Sequence, residues 1–275
     1  MSKIKQLFKK DRNIIIGAVH FPPLLGYPGF PGFKIALKNA LCDLKAFENG
    51  GADGIIFENN YDIPHKTFVD PEVVASMAYL GEKIRANTKL PVGISVLWND
   101  YKTALSIAKI LDLQFIRIPV FVDKVETDYG IIEGEAKKVI EFRKSIDAEN
   151  VAIFTDIHVK HAKLLSKYDI KTSAKLAMEN RSDAIIITGK WTGQSPDINE
   201  LKEIRKTVGD FPILVGSGLD ENNVINLFQY ANGAIASTSL KEGNKTEEVN
   251  VKSYMQRIDN KKVNLLVASL IGTSD

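Results

Sequence analysis

Residues 152–161 read AIFTDIHVKH, an apolar run that ends among acid, imidazole and amine side chains. The β-branched and aromatic residues predict a β-strand over residues 151–157. Side chains alternate between the two faces of a strand, so Asp156, His158 and Lys160 would share one face if the strand continues that far. No other stretch concentrates so many proton-active groups. The alternative is a strand end whose charged side chains are simply solvated.

The same unit, a strand followed by a helical pattern, recurs along the whole chain. Predicted strands cover residues 14–20, 54–57, 91–97, 115–120, 151–157, 184–188, 212–215 and 233–236. Predicted helices cover residues 34–48, 71–87, 100–111, 133–146, 173–179, 199–208, 224–230, 251–259 and 263–270. This alternation predicts an α/β fold with a parallel sheet. Eight units favour a closed (β/α)8 TIM barrel over an open doubly wound sheet.

The chain shows no linker and no low-complexity segment, which predicts one domain over residues 1–275. Within it we distinguish a basic N-terminal extension (1–13), a barrel core (14–240) and a C-terminal helical region (241–275). Residues 1–10 have the pattern of a short amphipathic helix, either on a membrane surface or against a barrel end. The loop at residues 21–33, FPPLLGYPGFPGF, has the length and composition of a lid over the barrel mouth.

Composition narrows the class of protein. A formal net charge of +2 over 275 residues, with no basic tract, argues against a nucleic-acid partner. No stretch reaches the ~20 apolar residues of a transmembrane segment. The single cysteine excludes an internal disulfide and favours a reducing compartment, so we expect a cytoplasmic protein. A homo-oligomer is left open.

Polar residues occur where the predicted strands end, which in a TIM barrel is the face that carries the chemistry. Candidate catalytic residues are Asp156, His158, Glu58, Lys160 and Arg117. Candidate ligand-binding residues from the same strand ends are His20, Asn59, Asn99 and Thr188. Acid, base and cationic groups at one mouth would suit proton transfer and the stabilisation of an enolate or oxyanion. We therefore expect Asp156 and His158 to serve function and not stability.

Turns that contain glycine and hydroxyl residues follow the last two predicted strands, and they are a second indication of a binding site. GSGL at residues 216–219 and STS at 237–239 follow strands seven and eight, where this fold usually holds phosphate. The predicted phosphate-binding residues are Gly193, Ser217, Gly218, Ser237 and Thr238.

A divalent metal held by Glu58, Asp156 and His158 is a variant of this site, because mixed oxygen and nitrogen ligands suit Zn, Mn or Fe. The spacing matches no diagnostic metal motif, so no cofactor is assigned.

Several blocks resemble the BtpA/SgcQ family: GAVHFPPLLGYPG, GGADGIIFENNYDIP, LPVGISVLWND, FIRIPVFVDKVETDYGIIEG, TDIHVKHAKLL, SDAIIITGKWTGQSPD and LVGSGLDENNV. The resemblance covers about residues 14–239 and implies a barrel like those that bind ribulose phosphate. Residues 61–65, Pro119 and residues 190–191 depart from the family pattern, which implies a different substrate preference. One member's link to photosystem I biogenesis also implies an assembly role for the family.

These observations are consistent with two alternative functions. The first is an enzyme that acts on a phosphorylated sugar or nucleotide-like metabolite by acid–base chemistry, as an isomerase, lyase or hydrolase. The second is a non-catalytic assembly or biogenesis factor that uses the barrel as a binding module. Polar groups from so many strand ends favour the first.

Overall fold

The computed structural model describes residues 2–243 and 253–271. The strands in that part of the chain are β1 (Ile14–His20), β2 (Gly54–Glu58), β3 (Val92–Ser95), β4 (Phe115–Ile118), β5 (Lys124–Thr127), β6 (Gly130–Glu133), β7 (Ala152–Asp156), β8 (Lys163–Leu164), β9 (Ala184–Ile187), β10 (Ile213–Val215) and β11 (Gly233–Ala236). The helices are α1 (Lys3–Phe8), α2 (Phe33–Gly50), α3 (Pro71–Ala86), α4 (Tyr101–Ile110), α5 (Ala136–Ser145), α6 (Ile170–Glu179), α7 (Ile198–Val208), α8 (Val224–Phe228) and α9 (Asn260–Ile271).

Eight of these strands form a closed parallel barrel, in the order β1-β11-β10-β9-β7-β4-β3-β2. The barrel closes because β1 pairs on both sides, with Ile14 opposite Gly233 and Ile16 opposite Gly54. Helices lie between successive barrel strands. The predicted TIM-barrel fold is therefore confirmed, and the open doubly wound sheet is excluded.

The barrel interior is apolar below and polar above. Inward-facing side chains such as Ile16, Phe115 and Phe154 form a buried cluster, and the Phe115 and Phe154 rings stack with centroids 4.8 Å apart. Two residues further along the same strands, the inward positions become Arg117 and Asp156. The two-residue period of a strand therefore brings polar groups of different strands into one layer at the C-terminal end.

Helix α1 closes the opposite end of the barrel. Its residues Ile4 and Phe8 are buried in the cluster of the barrel interior. Phe8 meets Phe115, at the start of β4, edge to face with ring centroids 6.0 Å apart. Of the two sites considered for this amphipathic helix, the structure shows the barrel end.

Two segments, one predicted as a helix and one as a lid, differ from expectation. The predicted helix at 133–146 begins only at Ala136, because residues 130–133 pair with β5 as an antiparallel hairpin. The loop at 21–33 does not cover the mouth. Its first residues, 21–24, are buried in the core, where the Leu24 N–H donates to Asp62 at 2.8 Å. Residues 25–33 are exposed or half-buried, and none of residues 21–33 lines the cavity at the strand ends.

The C-terminal region is less helical than predicted. Residues 251–252 of the predicted helix at 251–259 lie outside the described residues, and 253–255 form a single 3₁₀ turn. Beyond it the chain stays extended, because Ile258 bridges to Lys241 and its N–H donates to Asp43 at 3.0 Å. The predicted helix at 263–270 lies within α9.

Candidate active site

A cavity of about 750 Å³ opens at the C-terminal ends of the barrel strands. That volume is within the range of small-molecule sites. Its wall combines ionisable side chains, aromatic side chains and the turns that follow β9, β10 and β11. A cleft of about 600 Å³ elsewhere lies on the outer side of the barrel, beside α5, and does not reach the strand ends.

A buried ionic cluster forms the floor of this cavity. The Arg117 guanidinium donates through Nε and Nη2 to the two oxygens of Asp156, both at 2.8 Å. Its Nη1 donates to Glu58 Oε1 at 3.2 Å. The other Glu58 oxygen, Oε2, lies 3.5 Å from His20 Nε2. Arg117 thus binds both carboxylates, and one guanidinium group fixes their positions.

This environment sets the charge of each group. Burial raises the pKa of Glu58, but the Arg117 charge and the His20 hydrogen bond outweigh it and hold the pKa at about 2. Burial lowers the pKa of His20, and the bond to Glu58 only partly offsets this. Burial also disfavours charge on Arg117, but the two carboxylates raise its pKa above the ordinary value. At neutral pH Glu58 is therefore ionised, Arg117 is charged and the His20 imidazole is neutral.

Lys160 enters the cavity from the turn that follows β7. The Lys160 N–H donates to Thr188 Oγ1 at 3.2 Å, and the His158 N–H donates to Asp123 Oδ2 at 3.1 Å. These bonds hold the turn against its neighbours. Burial, followed by the Arg117 charge, lowers the pKa of Lys160 to about 8. The side chain therefore exchanges a proton near physiological pH.

Lys241 supplies a second amine on the far side of the cavity. Its Nζ lies 3.4 Å from the Tyr61 hydroxyl and 5.8 Å from the centre of the Tyr61 ring. Burial lowers the pKa of Lys241 to about 8 and raises that of Tyr61. Arg117 is paired with the carboxylates of Glu58 and Asp156, and two further amines, those of Lys160 and Lys241, line the cavity.

The turns after β9, β10 and β11 meet at one end of the cavity. A Cβ on Gly218, whose φ is +66°, would lie 2.0 Å from the Ser195 nitrogen, so only glycine allows these two turns to touch. Gly193 has a φ of +82° and open space around its Cα. The Ser237 Oγ is buried and has no hydrogen-bond partner within the described residues. This hydroxyl therefore has hydrogen-bonding capacity that no described residue uses.

The Ser217 hydroxyl has a different role from Ser237. It accepts from the Gly189 N–H at 2.9 Å and donates to the Gln194 carbonyl at 2.8 Å. Both bonds hold the turn after β9 against the turn after β10. Ser217 therefore shapes the wall of the cavity, although its own hydrogen-bonding capacity is already used.

Nine of the residues predicted for the site line the cavity: His20, Glu58, Arg117, Lys160, Gly193, Ser217, Gly218, Ser237 and Thr238. They come from seven of the eight strand ends. The convergence expected from the positions of the strand ends therefore holds for this set.

Other predicted residues lie behind the wall and brace it. Asn59 accepts from the Leu97 N–H at 2.7 Å, and Asn99 both accepts from and donates to the Val120 backbone at 2.9 Å. Thr188 accepts from the Lys160 N–H. Asp156 is 1% exposed beneath Arg117. Each of these side chains is bonded to a neighbouring loop or side chain, and none of them lines the cavity.

The expectation that Asp156, His158 and Lys160 share one face is wrong. Strand β7 ends at Asp156, and His158 has a φ of +48°. This left-handed residue breaks the alternation, and His158 is not part of the cavity wall. Asp156 and Lys160 still approach the same cluster, because the turn redirects the chain after His158.

The proposed metal set does not form. Within residues 2–243 and 253–271, no three His, Cys, Asp or Glu side chains lie close enough to hold a metal ion. The physical reason is that Arg117 lies between Glu58 and Asp156 and uses both carboxylates, while His158 is directed elsewhere. A cation beside that guanidinium would also meet like charge.

The sequence reading missed an aromatic wall. Tyr61, His65, Trp98 and Tyr129 all line the cavity, and the His65 and Tyr129 rings meet edge to face at 5.3 Å. They come from loops between elements, where no strand period marks the inward face. Some of the residues that depart from the family pattern line the cavity, namely Tyr61, Ile63, His65 and Pro119. The other two, Lys190 and Trp191, do not line it.

The sequence profile of the BtpA family matches residues 11–269. The chain belongs to the BtpA family. It is 38% identical over 235 residues to an uncharacterised protein of Pyrococcus abyssi, covering 84% of this chain and 89% of the relative. It is 37% identical over 244 residues to the photosystem I biogenesis protein BtpA of Synechocystis, covering 87% and 85%. Membership agrees with the motifs spread along the barrel.

Solved structures share the fold at low sequence identity. The (S)-3-O-geranylgeranylglyceryl phosphate synthase of Thermoplasma acidophilum, in complex with its substrate sn-glycerol-1-phosphate, superposes with a TM-score of 0.59. The two sequences are 13% identical, and the match covers 98% of each chain. Among the described helices of this BtpA-family protein, none has the length and apolar character needed to cross a bilayer.

Proposed function

We propose that this BtpA-family protein is an enzyme that acts on a small phosphorylated metabolite, with acid–base chemistry at the barrel mouth. One observation carries the proposal. A single cavity joins the turns after β9, β10 and β11, with the unsatisfied Ser237 hydroxyl, to a cluster that contains His20, Glu58 and Lys160. One end has the features of an anion site and the other has groups that exchange protons.

The phosphate is expected between Gly193, Gly218, Ser237 and Thr238. Lys241 lines the same cavity and adds positive charge. The Ser239 hydroxyl donates to the Leu219 carbonyl at 2.5 Å and so ties the turns after β10 and β11 together. The phosphorylated substrate of the synthase that shares this fold is consistent with such a ligand. A preformed site loses less entropy when it binds an anion.

The carbon skeleton of the substrate would lie over the Arg117 cluster. Glu58 is ionised, and its hydrogen bond orients the neutral His20 imidazole, so the pair can accept and return a proton. Lys160 and Arg117 place positive charge where an enolate or oxyanion would develop. Isomerase, lyase and hydrolase reactions of a phosphorylated sugar or nucleotide-like compound all fit these groups.

The first test of this proposal measures phosphate binding. Thermal melting and calorimetry with inorganic phosphate and with a panel of sugar phosphates should show binding. Ser237→Ala should weaken it at least about 10-fold, since a hydrogen bond to a charged group contributes ~1.5–3 kcal/mol. Ser145→Ala, an exposed serine on α5, is the matched control. No binding of any of these anions at millimolar concentration would contradict the proposal.

A non-catalytic assembly factor is the second candidate, favoured by the name of the Synechocystis relative. One measurement separates the enzyme from the assembly factor. Nuclear magnetic resonance of the sugar-phosphate panel should show slow conversion of at least one compound, and Glu58→Gln should abolish it while phosphate still binds. Binding without conversion of any compound would favour the assembly role.

A further inference from the structure

Lys160 carries an amine that neither carboxylate of the ionic cluster contacts directly. Arg117 engages both oxygens of Asp156 and one oxygen of Glu58, and His20 lies against the other. Within the described part of the chain, the Lys160 Nζ has neither a hydrogen bond nor an ion pair. Desolvation and the Arg117 charge disfavour the ammonium form of this partly buried side chain, and the attraction of Glu58 and Asp156 offsets them only in part.

The backbone around Lys160 is unusual. His158 and His161, on either side of it, have φ values of +48° and +58°. Non-glycine residues in this left-handed region are strained, and such residues cluster at functional sites. The turn is fixed by bonds from the His158 and Lys160 N–H groups to Asp123 and Thr188. The fold therefore keeps a strained turn that places this amine at the mouth.

The surroundings favour the nucleophilic form of the amine. Burial and the Arg117 charge lower the pKa of Lys160 to about 8. At neutral pH, a lysine with this pKa has roughly 300-fold more free amine than a lysine of ordinary pKa. A desolvated lysine beside another cation is a recognised arrangement for attack on a carbonyl carbon.

We propose that Lys160 forms a Schiff base with the carbonyl carbon of an open-chain aldose or ketose phosphate whose phosphate lies at the turns after β9, β10 and β11. This rests on the function proposed above and makes the substrate a carbonyl compound. Lys241 lines the same cavity, but its Nζ is already engaged by Tyr61.

The step balances without a redox partner. The Lys160 nitrogen lone pair attacks the carbonyl carbon, a C–N bond forms, and the C=O π electrons move to oxygen. Proton transfer from nitrogen and uptake of one further proton allow that oxygen to leave as water. The products are a protonated imine and one water molecule. His20, held by Glu58 in the same cavity, is the group placed to carry these protons.

The experiment traps the imine by reduction. The full chain is incubated with dihydroxyacetone phosphate or glyceraldehyde 3-phosphate and sodium cyanoborohydride, and the modified lysine is located by peptide mass spectrometry. We expect one adduct, at Lys160, that inorganic phosphate suppresses. The trapping rate should rise with pH about a midpoint near 8. Dihydroxyacetone, which lacks the phosphate, should label at least 10-fold more slowly at equal concentration.

Variants separate this role from folding and from phosphate binding. Lys160→Met and Lys160→Arg should both lose the adduct, and the arginine retains the charge. Lys163→Met, at a side chain 76% exposed, should label like the parent protein. Melting curves and inorganic-phosphate binding identify any variant that has lost its fold. If either Lys160 variant still binds phosphate, its loss of the adduct results from the missing amine and not from unfolding.

Each outcome bears on one of the two proposals. Inorganic phosphate binding together with an adduct at Lys241, at a surface lysine or at no residue would overturn the Schiff base and leave the phosphate site standing. Equal labelling by dihydroxyacetone would overturn the phosphorylated substrate class. Failure to bind phosphate and to form any adduct would overturn both.

Discussion

At the scale of single residues, Arg117 decides what the other charged groups can do. Its bonds to Asp156 and Glu58 are the reason neither carboxylate is free for a metal or for Lys160. The two acids nevertheless differ in position. Glu58 lines the cavity, whereas Asp156 is buried beneath the guanidinium. Asp156 therefore orients Arg117, and under the proposed function Glu58 is the carboxylate that meets the ligand.

Asp156→Asn should therefore destabilise the protein, in contrast to the functional role expected from the sequence. The substitution keeps the shape but removes the charge that faces two guanidinium nitrogens at 2.8 Å. Breaking a buried ion pair costs about 3–5 kcal/mol. Urea unfolding at pH 7 measures the loss. Glu58→Gln is the matched variant and should cost less, because its bond to Arg117 is longer at 3.2 Å. Equal stability of Asp156→Asn and the parent would return Asp156 to a purely functional role.

At the scale of elements, the strand ends and the segments that follow them have separate tasks. The barrel strands bring His20, Glu58 and Arg117 to one layer. The turn after β7 adds Lys160, and the β5–β6 hairpin adds Asp128 and Tyr129. The N-terminal helix packs against the opposite end of the barrel interior. Under the proposed function, stability and ligand binding should therefore be separable by position.

Phe8→Ala should lower stability and leave phosphate binding unchanged. Phe8 closes the lower end of the barrel against Phe115, and removing a buried phenyl ring typically costs about 3–5 kcal/mol. Leu7→Ala is the control, because Leu7 is only partly buried against the same cluster and should cost less. Chemical unfolding and calorimetry with inorganic phosphate are compared for each variant. A large change in phosphate affinity for Phe8→Ala would show that the two ends are coupled.

At the scale of the whole molecule, the strand and helix periods are enough to predict the barrel, because each unit carries its own apolar pattern. The inward positions of Glu58 and Arg117 also follow from strand ends, whereas the turn after β7 places Lys160. The error at His158 had a local cause, since a left-handed residue inside the turn has no periodic signature. The aromatic wall of Tyr61, Trp98 and Tyr129 was missed because loop side chains are directed by tertiary contacts.

The buried acids and histidines predict how stability depends on pH. Burial lowers the pKa of His65 to about 4, so between pH 6.5 and 4 the unfolded chain binds the extra proton and stability falls as pH falls. Burial raises the pKa of Asp62 to about 6, so between pH 6 and 3.8 the folded chain binds the extra proton and stability rises as pH falls. Each effect is about 3 kcal/mol, with opposite sign.

The contributions of His65 and Asp62 to the free energy of unfolding should therefore largely cancel between pH 6.5 and 4.5, and stability should fall at lower pH. The fall follows Glu58, whose folded pKa of about 2 gives stability that is present above pH 4.5 and is lost as pH approaches 2. Asp62→Asn removes the compensating group and should expose a loss of about 3 kcal/mol between pH 6.5 and 4. His65→Gln should reverse that slope. Urea unfolding of the three proteins at half-unit pH intervals makes the comparison, and parallel curves for the parent and Asp62→Asn would show that Asp62 is ionised in the folded protein throughout this range.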